Sequence, residues 1–237
     1  MGLQSGIGTG DVARAGRQSI FDAGAAKKSP GLLGVSRRRV RNLYSTVPRV
    51  YWMRMSVNPG DELDRYKKRI AETLREFGIP ESFATGRRQT QHLECEDLVS
   101  IGLDQSGREQ RLERGAAARW QAMRQAADSE GIALAVVSAF RSFDYQKQII
   151  ARKLAAGQSI ERILSASALP GFSEHHSGRA IDVGTPGCPP LTEEFETTDA
   201  YTWLTARAHE FGFTLSYPRG NPHGIMFEPW HWVFSEP

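Results

Sequence analysis

Ser173-Glu174-His175-His176-Ser177-Gly178-Arg179-Ala180-Ile181-Asp182 is the stretch around which the sequence is best read, completed near the C-terminus by Glu228-Pro229-Trp230-His231. Two histidines and an aspartate can supply three ligands to a zinc ion, with the fourth position left to water. His175 and Asp182 lie seven residues apart, with the small Gly178 and Ala180 between them. If the segment is a turn entering a strand, Ala180 and Asp182 share a face, because side chains alternate. Asp182 then points inward beside a neighbour small enough to leave room for an ion. Gly178 permits a tight bend or a close backbone approach. His176 rivals His175 as a ligand, but consecutive strand residues face opposite ways, so the two are not expected to reach one ion.

Glu228 and His231 are three residues apart around Pro229-Trp230. In a regular strand they would face opposite sides, so the spacing requires local bending. Pro229, with fixed φ and no N–H, makes that bend plausible. A carboxylate beside activated water can act as general base and return the proton to a leaving amine. Glu228 is therefore the candidate catalytic residue.

The joint pattern Ser-x-His-x-x-Gly-x-Ala-x-Asp followed by Glu-x-x-His resembles the zinc D-Ala-D-Ala carboxypeptidases of bacterial cell-wall metabolism. Their wider group includes the lysostaphin-type enzymes and the hedgehog signalling domain. The resemblance covers residues 90–237 and is strongest at 136–148, 173–182 and 215–232. It implies an α+β fold, a small antiparallel sheet flanked by helices, with a single Zn2+ held by His175, Asp182 and His231. His176 is then left to the rim of the site or to a supporting contact. The resemblance also implies that Arg141, in Ser-Ala-Phe-Arg-Ser, and Gln146 recognise the end of the peptide, with Ser173 nearby. Chemistry supports that role for Arg141, since a planar, permanently charged guanidinium suits a free carboxylate. Tyr217 and Trp230 are candidates to line the cleft, and a core role fits them almost as well.

The expected activity is removal of a terminal D-alanine from peptidoglycan stem peptides or muropeptides. D,D- and L,D-cleavage both stay open. A stem-peptide endopeptidase is the nearest alternative; such enzymes commonly carry Asp where this chain has Glu228, which favours the carboxypeptidase branch. A non-catalytic, zinc-stabilised binding module is the other alternative, disfavoured by the presence of both Glu228 and Arg141.

Charge divides the chain. Residues 1–60 hold ten Lys/Arg against two Asp/Glu, whereas residues 61–237 hold twenty against twenty-five. The net charge of +3 therefore belongs to the N-terminal stretch, and the mildly acidic remainder gives little support to a nucleic-acid partner. Residues 1–60 read as a basic arm or an upstream extension, 61–89 as an amphipathic helix and linker packing on the core, and 90–237 as the catalytic domain. No apolar run approaches the ~20 residues of a transmembrane helix, and no secretory h-region is visible. A cytoplasmic location is the resulting expectation, with a periplasmic one if the true N-terminus carries an export signal. Cys95 and Cys188 are expected to be separate thiols.

Leu63, Tyr66, Ile70, Leu74 and Phe77 predict a helix stopped by Gly78 and Pro80. Residues 87–108 show no clear period, and the acids Glu94, Glu96 and Asp97 read as solvated surface. A second helix is expected with Leu112, Ala116, Trp120, Met123 and Ala127 on one face. Ile132–Val137 reads as a buried strand, followed by helices around Tyr145–Ala155, Ile160–Ala166 and Thr198–Phe211. Phe213–Tyr217 and Ile225–Phe234 read as the last strands.

Overall fold

The structure is a computed structural model that describes residues 59–80 and 89–236. The basic stretch before Pro59 and the linker 81–88 lie outside the described residues. The architecture is α+β. A four-stranded antiparallel sheet runs in the order β3-β4-β6-β5, formed by β3 (Ala135–Ser138), β4 (Ala180–Gly184), β5 (Phe213–Leu215) and β6 (His231–Phe234). A separate hairpin pairs β1 (Leu98–Leu103) with β2 (Glu109–Glu113). Helices α1 (Pro59–Glu76), α2 (Arg114–Ser129), α3 (Phe143–Ala155), α4 (Ile160–Ser165) and α5 (Asp199–Arg207) flank them, with 3-10 turns at Glu174–Ser177, Glu193–Thr197 and Ala208–Phe211.

Two apolar clusters organise these parts. The larger sets Trp120 and Met123 of α2 and Trp203 and Leu204 of α5 against Ile181, Val183, Phe213 and Trp232 of the sheet. The smaller joins Tyr66, Ile70 and Leu74 of α1 to Phe143 and Ile150 of α3 and Ile163 and Leu164 of α4. Burying each such aliphatic side chain contributes about 1.5–3 kcal/mol. The apolar face expected of the first helix is therefore its packing face, except that Leu63 remains exposed. Ile70 packs over Gly171, where an added Cβ would stand 2.5 Å from Ile70 Cδ1. Tyr66 also donates its hydroxyl to the His92 carbonyl at 2.7 Å.

Several expected elements differ. Residues 98–113, read as irregular or as the start of a helix, form the β1–β2 hairpin around a turn held by Asp104, whose Oδ1 accepts from Ser106 and Arg108 N–H groups. Leu112 belongs to β2, and α2 starts only at Arg114 because the Glu113 carboxylate caps it, accepting from Gly115 and Ala116 N–H at 2.9 and 3.0 Å. Glu94 is no free surface acid: it accepts from Phe143 N–H at the start of α3 and pairs with Arg69. The helix expected over Thr198–Phe211 is α5 followed by a 3-10 turn, Ala208–Phe211. The long last strand shortens to β6, since a hydrogen bond from His231 N–H to the Glu228 carbonyl closes a turn around Pro229. Cys95 and Cys188 are free thiols, and no helix among the described residues is long and apolar enough to cross a membrane.

Candidate active site

The sheet brings the distant halves of the pattern together. Asp182 of β4 and His231 of β6 are direct cross-strand partners, and Ser138 at the end of β3 stands opposite Asp182 on its other side. His175 arrives from a 3-10 turn, Glu174–Ser177, immediately before β4. Gly178 ends that turn with φ at 69°, and a Cβ there would come within 2.9 Å of the Glu113 backbone nitrogen. Glycine is needed on both counts. The bend inferred between Glu228 and His231 is the turn around Pro229.

The result is a buried cluster. Donor atoms of His175, Asp182 and His231 all lie within 4.8 Å of one another. His231 Nδ1 stands 2.9 Å and His175 Nε2 3.3 Å from the same oxygen, Asp182 Oδ1. The other nitrogens face away and are held: His175 Nδ1 meets the Ala139 carbonyl at 2.6 Å, and His231 Nε2 meets Glu174 Oε2 at 2.9 Å. Three convergent donors from two imidazoles and one carboxylate, with both rings fixed from behind, fit a tetrahedral zinc site with one position for water.

The charges of the metal-free cluster follow from this packing. Burial pushes His175 down to about 4. Burial works against a charged His231 too, but Asp182 and Glu174 on either side outweigh it and hold its proton up to about 10. Asp182, although buried, is kept well below the usual carboxylate range by His175, Arg141 and His231. Glu228 behaves oppositely. Burial first, and Asp182 after it, raise its carboxyl to about 7 against the pull of His231, Arg141 and Lys153.

A cleft of about 480 Å³ opens over the cluster, and Arg141, Gln146, Ser173, Tyr217, Glu228 and Trp230 all line it. Arg141 donates through Nε to Ser138 Oγ at 2.9 Å and through Nη2 to Asp182 Oδ2. Gln146 donates to the Ala168 carbonyl at 2.8 Å, while its buried Oε1 meets no donor. Tyr217 stacks on His231, with ring centroids 4.7 Å apart. Trp230 is mostly buried and belongs to the core as well as to the wall.

His176 is not at the rim. It is fully buried, its Nδ1 against the Arg141 carbonyl at 2.6 Å and its Nε2 accepting from Gly171 N–H at 3.0 Å. It ties the Arg141 loop to the segment carrying the ligands. His209 is exposed, and His92 is half-buried beside Tyr66. Sequence reasoning overlooked Glu174. It sits inside the decisive stretch, but its partners, Ser216 Oγ at 2.8 Å and His231, are 42 and 57 residues away.

A model of D-alanyl-D-alanine carboxypeptidases, VanY, matches residues 109–236, just over half of the chain. The chain belongs to the VanY family. Among curated VanY-like relatives, a putative carboxypeptidase, YodJ, of Bacillus subtilis is 32% identical over 56% of this chain and 50% of its own length. A D-alanyl-D-alanine carboxypeptidase of Enterococcus faecalis is 28% identical over 56% of this chain and 52% of its own. The chain thus spans about half the length of the curated relatives it matches. Among solved structures, the LdcB LD-carboxypeptidase aligns with a TM-score of 0.54 and 32% identity, covering 60% of this chain and 70% of that one. VanYB, solved with D-alanine-D-alanine, aligns with a TM-score of 0.50 and 26% identity, covering 63% and 84%.

Proposed function

We propose that this chain is a zinc metallopeptidase that removes a C-terminal D-alanine from peptidoglycan stem peptides. The observation that carries the reading is the Glu228 carboxylate in the same cleft as the His175, Asp182 and His231 cluster, set on the tight turn that leads into His231. A carboxylate placed there can take a proton from water and release it to a departing amine. His175, Asp182 and His231 would hold the zinc, which supplies a Lewis acid and a more acidic water.

The chain's own residues divide the remaining work. Glu228 accepts the proton of the attacking water as oxygen adds to the scissile carbonyl. It then delivers that proton to the departing nitrogen as the C–N bond breaks, leaving a shortened peptide and D-alanine. Glu174 holds the His231 ring from behind, and Tyr217 stacked on it limits its rotation. Arg141, Gln146 and Ser173 orient the end of the peptide.

The test is release of D-alanine by the zinc-loaded full chain from a pentapeptide ending in D-Ala-D-Ala and from the corresponding tetrapeptide, with products identified by mass. Release that disappears in Glu228→Ala is the expected result, and the preferred peptide separates D,D- from L,D-cleavage. Internal fragments would make the chain an endopeptidase. Zinc binding without cleavage of either peptide would overturn the reading in favour of a binding module.

A further inference from the structure

Helix α3 carries one charged group toward the cleft that the mechanism above does not use. Gln146, Ile149 and Lys153 follow at helical spacing and all line the cleft. Lys153 is half-buried, and its ammonium donates to Ser167 Oγ at 2.7 Å. Among the described residues no carboxylate stands within ion-pair distance of it, whereas Arg141 already meets Asp182. Its electrostatic neighbours are Arg141, which disfavours the charge, and Glu228, which favours it; burial is the largest influence and lowers its pKa. An ammonium with one neutral hydrogen-bond partner, partly removed from water beside another cation, gains from a further anion brought against it.

The wall behind it is held in place. Ala166, Ser167 and Ala168 line the cleft, and this strip is fastened at three points. Ser167 accepts from Lys153, the Ala168 carbonyl accepts from Gln146, and the neighbouring Ser165 carbonyl accepts from Met226 N–H at 2.7 Å. Arg141 keeps Nη1 free of the bonds that commit Nε and Nη2, which leaves it a donor for a carboxylate oxygen.

We propose that Lys153, backed by Ser167, is a second cation beside Arg141 that binds the free terminal carboxylate of the substrate. This rests on the carboxypeptidase reading and deepens it, because a two-cation subsite makes the site read the free end of the chain. Against a neutral terminus, Lys153 would keep only its neutral Ser167 partner, whereas Arg141 would keep Asp182.

The experiment compares the wild-type full chain with Lys153→Met and Lys153→Arg, all zinc-loaded, on the cleaved stem peptide as free acid and as C-terminal amide. Lys153→Met is expected to raise KM for the acid about tenfold or more, with kcat falling less, and to shrink the acid-over-amide preference in proportion. Lys153→Arg is expected to restore much of that preference. Thermal melting of each variant separates lost folding from lost recognition. An unchanged KM and an unchanged acid-over-amide ratio in folded Lys153→Met would overturn the subsite while leaving the carboxypeptidase intact. Absence of cleavage by the wild-type chain would instead remove the functional reading and the subsite together.

Discussion

The two walls of the cleft are finished to different degrees. On the sheet wall, the polar side-chain atoms of His175, Asp182, His231 and Glu174 all have protein partners within hydrogen-bond or ion-pair distance. On the helix wall, Gln146 Oε1 is buried without a donor, and Lys153 is half-buried without a counter-ion, among the described residues. Leaving a buried polar group unmatched costs on the order of 1–3 kcal/mol, more for a charge. Among the described residues the Trp120 and Trp203 indole nitrogens are also buried without an acceptor, but they lie in the apolar core and not in the cleft. The cluster of His175, Asp182 and His231 is thus held by protein groups, and the helix wall is the one that we propose a substrate completes.

The sharpest break between the walls is expected from Glu228→Gln, which removes the base and keeps the shape. Turnover should fall about 10²–10⁴-fold, with zinc still bound. Stability should move the other way. The folded pKa of about 7 exceeds that of an ordinary glutamate, so the folded state prefers the proton. Below about pH 4 the group is protonated in both states and the substitution is neutral. The penalty grows as pH rises toward 7 and is complete above it. Glu228→Gln should therefore stabilise the zinc-free chain above pH 7 by about 1–3 kcal/mol, since each pKa unit corresponds to roughly 1.4 kcal/mol. Melting curves at pH 4 and pH 8 check this. A variant equally stabilised at both would show that Glu228 is not strained by burial.

Glu174 tests whether the sheet wall depends on its backing. Glu174→Ala should weaken zinc binding about 10–100-fold, read by competition with a chromophoric chelator, because the outward nitrogen of His231 loses its carboxylate. Glu174→Gln keeps an acceptor and should fall between. Lys153→Met should leave zinc affinity unchanged. If both substitutions weaken the metal equally, the two walls are one unit and the contrast fails.

A pH profile separates the walls more gently. Glu228 must be ionised to act as base, so kcat/KM should fall about tenfold per unit on the acid side of its pKa. In the zinc-free chain that value is about 7. A dication nearby favours the ionised form, so the limb of the loaded enzyme should lie below 7. Lys153→Met removes a cation that favours ionised Glu228 and should shift the limb slightly upward. A limb lying well above 7 would mean that another group supplies the base.

Much of the sheet wall was legible in the sequence. The alternation around Ala180 and Asp182, the need for a bend at Pro229 and the small residue at 178 all follow from local backbone geometry. The closed turn at Glu228–His231 and the positive φ of Gly178 are their counterparts in the structure. What escaped was nonlocal or chemically unusual. Glu174 needed Ser216 and His231, brought to it by the sheet. The β1–β2 hairpin lacks a clean apolar alternation because its buried side chains include Gln110, whose Oε1 accepts from Ala139 N–H. Helix α2 begins with a glutamate cap, not the Ser, Thr, Asp or Asn that mark most helix starts. Lys153 gave no signal either, since a lysine on a helix is ordinarily solvated and only the cleft makes it otherwise.

The smallest expected effect lies behind Lys153. Ser167→Ala removes the one hydroxyl that orients the ammonium but leaves the charge in the cleft. A hydrogen bond to a charged group is worth about 1.5–3 kcal/mol when well buried, and half-exposure reduces that here to roughly 1 kcal/mol or less. Because the ammonium can still reach a carboxylate from several rotamers, KM for the free-acid peptide should rise no more than about fivefold, with kcat unchanged. Loss as large as that of Lys153→Met would mean that the strip, not the charge, selects the terminus. No change in KM would mean that Lys153 finds its ligand without being held. Either outcome refines how far the helix wall is arranged before substrate arrives, and the double variant Lys153→Met with Ser167→Ala distinguishes them, since the serine should add nothing once its partner is gone.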